Sequence, residues 1–155
     1  MNGQTKDIQY WVGFSFIPNI GRVRLGRLEN HFGNLENAWK AAPAELTAAG
    51  LDAASVRSVV DWRPRVDLDS EMEKLERNGV GVFTWRDDGY PARLREIHDY
   101  PPILYVKGAI LPDDEWCLGV VGTRRASAYG RQVTEEIVAD LARSRITIVS
   151  GLALG

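Results

Sequence analysis

The chain has 155 residues, of which 45% are hydrophobic and 26% charged, with a formal net charge of −2 at pH 7. This length suits one ordinary domain or two small ones, the composition is typical of a globular protein, and the near-zero charge excludes an overall basic field for nucleic acid. No apolar run approaches the ~20 residues that cross a bilayer, and the N-terminus lacks a signal-peptide pattern, so we expect a cytoplasmic protein without a membrane span.

The first 66 residues predict a small all-α domain. Apolar residues recur at helical spacing, and breakers such as Pro18 and Gly33 follow the first two runs. The expected helices lie at residues 11–17, 23–32, 35–39, 43–50 and 56–62. Helices this short depend on tertiary packing for their stability. We therefore assign residues 1–66 to one helical accessory domain, of SAM-like or helix-hairpin-helix-like type.

One turn in this region carries a nucleic-acid hypothesis. The segment Ile17-Pro-Asn-Ile-Gly21, followed by Arg22 and Arg24, resembles a helix-hairpin-helix turn, whose backbone amides can hold duplex phosphate. Asn19 stands where that motif prefers glycine, although asparagine tolerates the left-handed conformation. Because the charge of this region is close to zero, we favour a helical module that packs or contacts proteins.

Residues 67–155 predict an α/β sheet with helices packed on it, because strands and helices alternate there. The expected elements are a helix from Leu68 ended by Asn78-Gly79, strands at 80–85, 103–107, 116–121 and 146–149, a helical turn at 91–95, and an amphipathic helix from Ser127 or Ala128 to Arg143 with Val133, Ile137, Val138 and Leu141 inward.

Several conspicuous residues are expected to be structural. Cys117 is the single cysteine, which excludes an internal disulfide, and its apolar neighbours predict a small buried side chain. His31 and His98 lie far apart, so no metal site is expected. The residues expected in the core or in turns, rather than as base-stacking groups, are Trp11, Trp39, Trp62, Trp85, Trp116, Tyr90 and Tyr100. The acidic run Asp113-Asp-Glu115 is expected to be a solvated loop.

Two glycine turns suggest an anion site. A strand that turns abruptly into a helix needs a residue that tolerates unusual dihedrals, and Gly122 supplies it. The next helix presents unpaired amides and a partial positive charge, and a right-handed crossover brings the turn after the following strand to the same sheet edge. The candidate phosphate-binding residues are Gly122, Thr123, Arg124, Arg125, Ser127, Ser150 and Gly151.

These turns do not match nucleotide-binding fingerprints. No third glycine completes a G-x-G-x-x-G pattern, and no G-x-x-x-x-G-K-[ST] loop is present. A nicotinamide or nucleoside-triphosphate site thus loses its main support, and no cofactor is expected. The alternative without a ligand is that both glycines only make tight turns and the arginines are solvated.

The sequence resembles the DNA-processing protein A family, also called DprA or Smf, in three ordered segments. They are the Tyr-Pro motifs of residues 90–108, the turn at residues 120–131 and the turn at residues 147–155. The helical N-terminal part is similar to the accessory domain of many members. The resemblance implies that residues 67–155 are the N-terminal half of an extended Rossmann-like domain with a parallel-sheet core, incomplete at residue 155, that binds DNA.

The resemblance also implies a function. Members of this family bind single-stranded DNA without sequence preference and load the RecA recombinase on DNA that enters in natural transformation, and a full-length member is expected to be a homodimer. Both glycine turns would line the DNA-phosphate pocket, with Thr123 keeping the hydroxyl of the more usual serine. We see no nucleophile, base and acid set, and we expect a binding protein rather than an enzyme.

Two alternatives remain open. Nucleotide phosphoribohydrolases of the lysine-decarboxylase-like group share a Rossmann-like fold and also begin with a strand and a glycine-serine-arginine turn. The N-terminal helices and the Tyr-Pro motifs argue against them. The other alternative is an inactive scaffold fragment whose last strand leaves an edge prone to pairing with another chain.

Overall fold

The computed structural model describes residues 7–151 and separates into two compact units, Met1–Ala109 and Ile110–Gly155. This division differs from the boundary expected between residues 66 and 67. The reason is packing, because Val66, Leu68, Trp85 and Ile103 pack against the core of the preceding helices. The assignment of residues 1–66 to a separate accessory domain stays a prediction.

The first unit consists of short helices and one antiparallel strand pair. Its elements are α1 (Ile8–Ser15), α2 (Arg22–Phe32), α3 (Leu35–Lys40), α4 (Pro43–Ala48), α5 (Ala53–Trp62), α6 (Leu68–Arg77), β1 (Val80–Thr84), α7 (Ala92–Glu96) and β2 (Ile103–Lys107). Strands β1 and β2 pair from Val80↔Lys107 to Thr84↔Ile103. Among the helices within residues 7–151, none is long and apolar enough to cross a membrane.

Local side chains and glycines mark the helix ends. Asn34 Oδ1 accepts a hydrogen bond from the Asn37 N–H at 2.8 Å, and Asp52 Oδ1 accepts one from the Ser55 N–H at 2.9 Å. Each of these side chains caps the first turn of its helix. Gly33 ends α2 with φ 78°, in the left-handed region that glycine adopts without strain. The predicted end of α2 at Gly33 is confirmed.

The core of the first unit lies among α1 to α5 and is rich in aromatic rings. The rings of Phe14 and Trp39 meet edge to face with centroids 5.0 Å apart. Trp11 makes a similar contact with Trp85 at 5.5 Å, which joins α1 to the segment that follows β1. Such aromatic pairs add about 0.5–1.5 kcal/mol beyond the burial of their area.

The second unit is a β-α-β arrangement. A 3₁₀ turn at Pro112–Glu115 leads into β3 (Cys117–Val120), α8 (Ala128–Arg143) and β4 (Thr147–Ser150). The two strands are parallel, with Cys117 opposite Thr147 and Val120 opposite Ser150. These elements and the first pair are compatible with an α/β fold. The Rossmann-like sheet and the SAM-like type of the helical part stay predictions.

The acidic run before β3 is not simply a solvated loop, as the sequence led us to expect. Asp114 lies in the 3₁₀ turn, where its Oδ2 accepts from the Leu111 N–H at 2.7 Å and its Oδ1 accepts from the Thr147 hydroxyl at 2.9 Å. These two hydrogen bonds lower the pKa of the Asp114 carboxyl. The carboxylate therefore ties this turn to the start of β4.

Several side chains that we expected inside are exposed, and those predictions were wrong. In the second unit, Trp116 is 76% exposed and Ile137 is 53% exposed, and Cys117 is also exposed. Two strands and one helix bury only the stripe where they meet, and Val133, Val138 and Leu141 occupy it as half-buried residues. In the first unit, Trp62 is exposed because it is the last residue of α5.

Gly13 sits where α1 packs most closely on its neighbours. A Cβ atom there would lie 2.6 Å from Leu68 Cδ2 and 2.8 Å from Trp39 Cη2. We expect Gly13→Ala to lower the free energy of unfolding by about 1–3 kcal/mol, because the added methyl group overpacks this contact. Denaturant unfolding of the chain measures this change.

The matched control is Gly26→Ala in α2, where a Cβ would meet nothing within 4 Å. This variant should raise the free energy of unfolding by roughly 0.5–1 kcal/mol, since alanine has the higher helix propensity. Equal stability of the two variants would contradict the close packing at Gly13.

Glu29 is a buried carboxylate on α2. Its side chain is 4% exposed, and its Oε1 lies 3.2 Å from Arg86 Nη1. Its Oε2 has no hydrogen-bond partner among the described residues. Burial raises the pKa of Glu29, and the Arg86 guanidinium opposes part of that rise. Ionisation of the buried Glu29 carboxyl therefore costs free energy in the folded protein.

We expect Glu29→Gln to be more stable than the wild type at neutral pH, since the amide keeps the shape and removes a buried charge. A carboxyl whose pKa is raised by folding stabilises the protein below its ordinary pKa of 4.5. That stability is lost as the pH rises through the raised value. The advantage of the variant should therefore grow from acid to neutral pH in urea unfolding. A variant less stable than the wild type at neutral pH would show that the ion pair outweighs the burial.

Candidate nucleic-acid interface

The parallel pairing of β3 and β4 places the two glycine turns side by side. Val120 is the last residue of β3 and lies opposite Ser150, the last residue of β4. The chain leaves β3 through Gly122 and leaves β4 through Gly151. Because the carboxyl ends of parallel strands meet at one edge of a sheet, both turns occupy the edge that commonly binds ligands in α/β folds.

A cleft of about 560 Å³ lies at this edge. Its lining is Val120, Val121, Gly122, Thr123, Arg124, Ala126, Gly130, Arg131, Thr134, Glu135, Val138, Ser150 and Gly151. The structure thus brings five of the seven predicted site residues together, and it leaves Arg125 and Ser127 outside the lining. A volume of this size is within the range of small-ligand sites.

The turn after β3 is open. The Thr123 hydroxyl oxygen accepts a hydrogen bond from the Arg125 N–H at 3.3 Å. A Cβ atom at Gly122 would meet nothing within 4 Å, and the φ of Gly122 lies outside the left-handed region. Our expectation that unusual dihedrals require glycine here was therefore wrong. What the glycine provides is a backbone that no side chain covers on the cleft side.

Ser127 starts α8 rather than lining the cleft. Its Oγ accepts a hydrogen bond from the Gly130 N–H at 3.0 Å, as an N-cap does. The cap satisfies one of the free amides at the helix start, and the others remain as donors beside the turn. Ser127 therefore positions the helix whose amino-terminal end borders the cleft.

Five residues of α8 that were not predicted as site residues also line the cleft, and one of them is Gly130 in the first turn. Arg131, Thr134, Glu135 and Val138 lie three or four positions apart and so share one face of the helix. The 3.6-residue period of α8 shows in the sequence that these residues share one face. It does not show that this face borders a cleft. Thr134 is bonded within the helix, since its hydroxyl donates to the Gly130 carbonyl at 2.7 Å.

The charges of the cleft are mixed. Arg124 and Arg131 supply two guanidinium groups, and Glu135 supplies one carboxylate. Within residues 7–151, the side chains of these three residues form no ion pair or hydrogen bond. The arginines can bind an anion bidentately, whereas the carboxylate can only accept hydrogen bonds.

The two arginines of the helix-hairpin-helix hypothesis, Arg22 and Arg24, are bonded to other residues of the first unit. The Arg22 guanidinium donates to the His98 carbonyl at 3.1 Å and lies 4.7 Å above the ring of Tyr100. Arg24 pairs with Asp52 at 2.7 Å, and this hydrogen bond lowers the pKa of the Asp52 carboxyl. Both side chains are thus used inside the first unit, as expected for a module that packs.

Asn19 has φ 67°, the left-handed conformation that the resemblance to a helix-hairpin-helix turn expects at this position. The two tyrosines match their structural interpretation. Tyr90 is 2% exposed, and its hydroxyl donates to the Pro101 carbonyl at 2.7 Å, so it is a core residue and not a platform for bases. Tyr100 packs edge to face on Trp85 with centroids 5.6 Å apart.

The hydroxyl of Ser127 provides a test of the helix start. We expect Ser127→Ala to lower the stability of the α8 start by about 1 kcal/mol, because the Gly130 N–H loses its acceptor. Ser127→Asp should keep that stability, since aspartate caps as well as serine. Hydrogen exchange of the Gly130 amide measures both variants. Unchanged exchange in Ser127→Ala would contradict the capping role.

Known proteins are similar in sequence to this chain, both in the residues that line the cleft and in the preceding helices. The family described as DNA recombination-mediator protein A matches residues 81–155. Protein Smf of Synechocystis sp. is 34% identical over 155 residues, which cover 94% of this chain and 38% of that protein. DNA processing protein DprA of Bacillus subtilis is 31% identical over 126 residues, which cover 76% of this chain and 42% of that protein.

DNA processing protein DprA of Streptococcus pneumoniae is 38% identical over 73 residues, which cover 47% of this chain and 26% of that protein. The chain therefore spans less than half the length of each of these relatives. The matched family region contains both glycine turns and the whole of α8.

Proposed function

The chain belongs to the DprA/Smf family of DNA-processing proteins, and we propose that it binds single-stranded DNA in the cleft between its two glycine turns. The observation that carries this proposal is the cleft that Arg124 and Ser150 share. Arg124 lies in the turn after β3 and Ser150 ends β4, so the whole of α8 separates them in the sequence. A cleft that joins uncovered backbone, two arginines and the start of a helix is suited to phosphate.

In this proposal the phosphates lie against the backbone of Gly122 and Thr123, and Arg124 is the principal charge partner. Arg131 adds a second guanidinium from the first turn of α8. Ser150 and Gly151 contribute from the neighbouring strand. Ser127 and Arg125 lie at the margin of the site in this proposal. The Ser127 oxygen caps α8, and its hydroxyl proton can still be donated to a phosphate.

Binding of this kind reads the backbone of the strand. Phosphate contacts fix the position of a nucleic acid and carry no sequence information directly. Affinity should therefore be similar for unrelated sequences and fall steeply with salt, because bound phosphates release their counterions. We do not propose binding of double-stranded DNA, because the phosphates of a duplex are held at the fixed spacing of a rigid helix.

The later steps follow from the family. We propose that the full-length protein loads RecA on the bound strand during natural transformation, acts as a homodimer and works in the cytoplasm. The description of the matched family as a recombination mediator supports the RecA step. The direct readout is the rate of RecA filament growth on single strands covered by single-strand-binding protein.

We propose a binding role rather than catalysis. Among the residues that the structure describes, the lining of the cleft contains a single carboxylate, Glu135, and neither histidine nor cysteine. A nucleotide phosphoribohydrolase would need further groups that activate water and hold the sugar. Release of free base from nucleoside monophosphates by the chain would overturn this part of the proposal.

Arg124→Ala tests the site. We expect it to weaken binding of a labelled single strand about tenfold or more, because a hydrogen bond to a charged group is lost. The slope of log affinity against log salt should fall by about 0.7, the value for one phosphate contact on a single strand. Fluorescence anisotropy with two unrelated sequences at several salt concentrations measures both effects.

The matched control is Arg143→Ala. Arg143 is an exposed arginine on the last turn of α8, where it pairs with Asp140, and it does not line the cleft. Its loss removes the same charge from the same unit but outside the cleft, and should leave affinity and salt slope almost unchanged. Equal losses in the two variants would mean that net charge, and not the cleft, governs binding.

A further inference from the structure

A groove of about 770 Å³ in the first unit has no role in the proposed function. It lies among α1, α6 and β1, and its lining is Ile8, Gln9, Asp69, Met72, Glu73, Leu75, Glu76, Val80, Gly81 and Val82. We propose that this α6 groove binds an extended segment of a partner protein that is rich in lysine or arginine and pairs with the outer edge of β1. The inference is independent of DNA binding and adds a protein-docking surface to the first unit.

The edge of β1 that faces away from β2 can accept another strand. Within residues 7–151, β1 pairs with β2 alone. The Trp85 N–H donates to the Pro102 carbonyl at 3.3 Å, which makes these two residues a hydrogen-bonded pair of the ladder. Because such pairs alternate along antiparallel strands, Val80 and Val82 turn their N–H and C=O groups away from β2. An edge of this kind is a template for an extended segment of another chain.

Thr84 shows the same alternation at the end of β1. Its N–H donates to Asp87 Oδ2 at 2.6 Å rather than to β2. The turn after β1 therefore satisfies the outer edge at Thr84. The part of the edge that lines the groove is the part formed by Val80 and Val82.

The side chains of α6 give the groove both an apolar and an acidic part. Met72 and Leu75 are half-buried and line it together with the valines of β1. Asp69, Glu73 and Glu76 also line it, and their spacings of four and three residues place them in one stripe along the helix. Among the described residues, the lining contains no lysine, arginine or histidine. The groove is therefore apolar with a negative border.

The acidic stripe is not neutralised by the part of the chain that the structure describes. The ion pair of α6 there joins Lys74 Nζ to Glu71 Oε1 at 2.6 Å, whereas Asp69, Glu73 and Glu76 form none. Like charges four residues apart on a helix repel and destabilise it. Positive side chains of a bound segment would remove this repulsion, and a nucleic acid would add to it. The charge of the groove thus selects a basic partner.

Long basic side chains match both parts of the lining. Lysine and arginine end an apolar stem with a charged head, so the stem can pack on Met72 and Leu75 while the head reaches the carboxylates. Alternate residues of an extended segment face the same side and lie about 6.6 Å apart. The stripe from Asp69 to Glu76 is about 10 Å long at 1.5 Å per residue. About three basic residues at alternate positions of one strand therefore cover it.

The experiment measures binding of labelled peptides to the whole chain by fluorescence anisotropy. The probe alternates lysine and threonine over about eight residues, the length of an ordinary strand, and its matched control alternates glutamate and threonine. We expect the lysine peptide to bind about tenfold or more tightly than the glutamate peptide, and its affinity to fall with salt, because surface charges pair. A lysine peptide with N-methyl groups on alternate backbone amides should bind more weakly, since it cannot complete a ladder with β1.

Two double variants locate the binding site. Glu73→Gln/Glu76→Gln should weaken the lysine peptide about fivefold, because two ion pairs at the border of the groove are lost. The matched control is Asp61→Asn/Glu96→Gln, which removes the same charge from exposed residues of the same unit outside the groove. It should bind the peptide like the wild type. Urea unfolding of both variants confirms that the fold is intact.

Hydrogen exchange distinguishes strand pairing from attraction between charges. The bound lysine peptide should slow exchange of the outward amides of Val80 and Val82, which lie on the edge of β1 that the peptide covers. The Gly81 amide points to β2 by the same alternation and should change little. Gly81 is thus the control within the same strand.

The other outcomes overturn the inference. Equal affinity for the lysine and glutamate peptides, or equal losses in the two double variants, would mean that the groove does not select a basic segment. Unchanged exchange at Val80 and Val82 would mean that the peptide does not pair with β1. A folded chain that binds no peptide would contradict the docking site itself. Concentration-dependent dimerisation that excludes the peptide would assign the groove to a second copy of the chain.

Discussion

The parallel register of β3 and β4 is the constraint on which the candidate site depends. Neighbouring strands in a sheet lie about 4.8 Å apart, so Val120 opposite Ser150 holds two turns within reach of one ligand. A shift of the register by one residue would move one turn along the sheet edge and reverse the faces of its side chains. The hydrogen bonds between β3 and β4 thus fix the relative position of the two turns.

The second unit maintains that register with backbone and capping bonds rather than with a core. None of its described residues is buried to the degree of the first unit's core residues. Asp114 fixes the start of β4 through the Thr147 hydroxyl, and Ser127 fixes the start of α8. These contacts lie at the ends of the elements that border the cleft, so the site is positioned by local bonds.

The first unit has the opposite character. Its helices are short, and they are held by a buried cluster of tryptophan, phenylalanine and leucine side chains. The two arginines that follow the helix-hairpin-helix-like turn are bonded to the protein, Arg22 to the His98 carbonyl and Arg24 to Asp52. In the described part of the second unit, the basic groups that line the cleft are Arg124 and Arg131, beside the single carboxylate of Glu135.

Local chemistry allowed the elements to be predicted from the sequence. The limits of α8 and β2 follow from periodicity, caps and glycines, because those signals act over a few residues. The two turns could be placed at one edge since a right-handed crossover leaves little choice. Tertiary packing decided the rest: it joined residues 67–109 to the helical core, left Cys117, Trp116 and Ile137 exposed, excluded Arg125 and Ser127 from the cleft and brought Arg131 and Glu135 into it. Which side chains are buried and which ones line the cleft depends on how the faces of the elements pack together. The spacing of residues along the chain does not determine that packing.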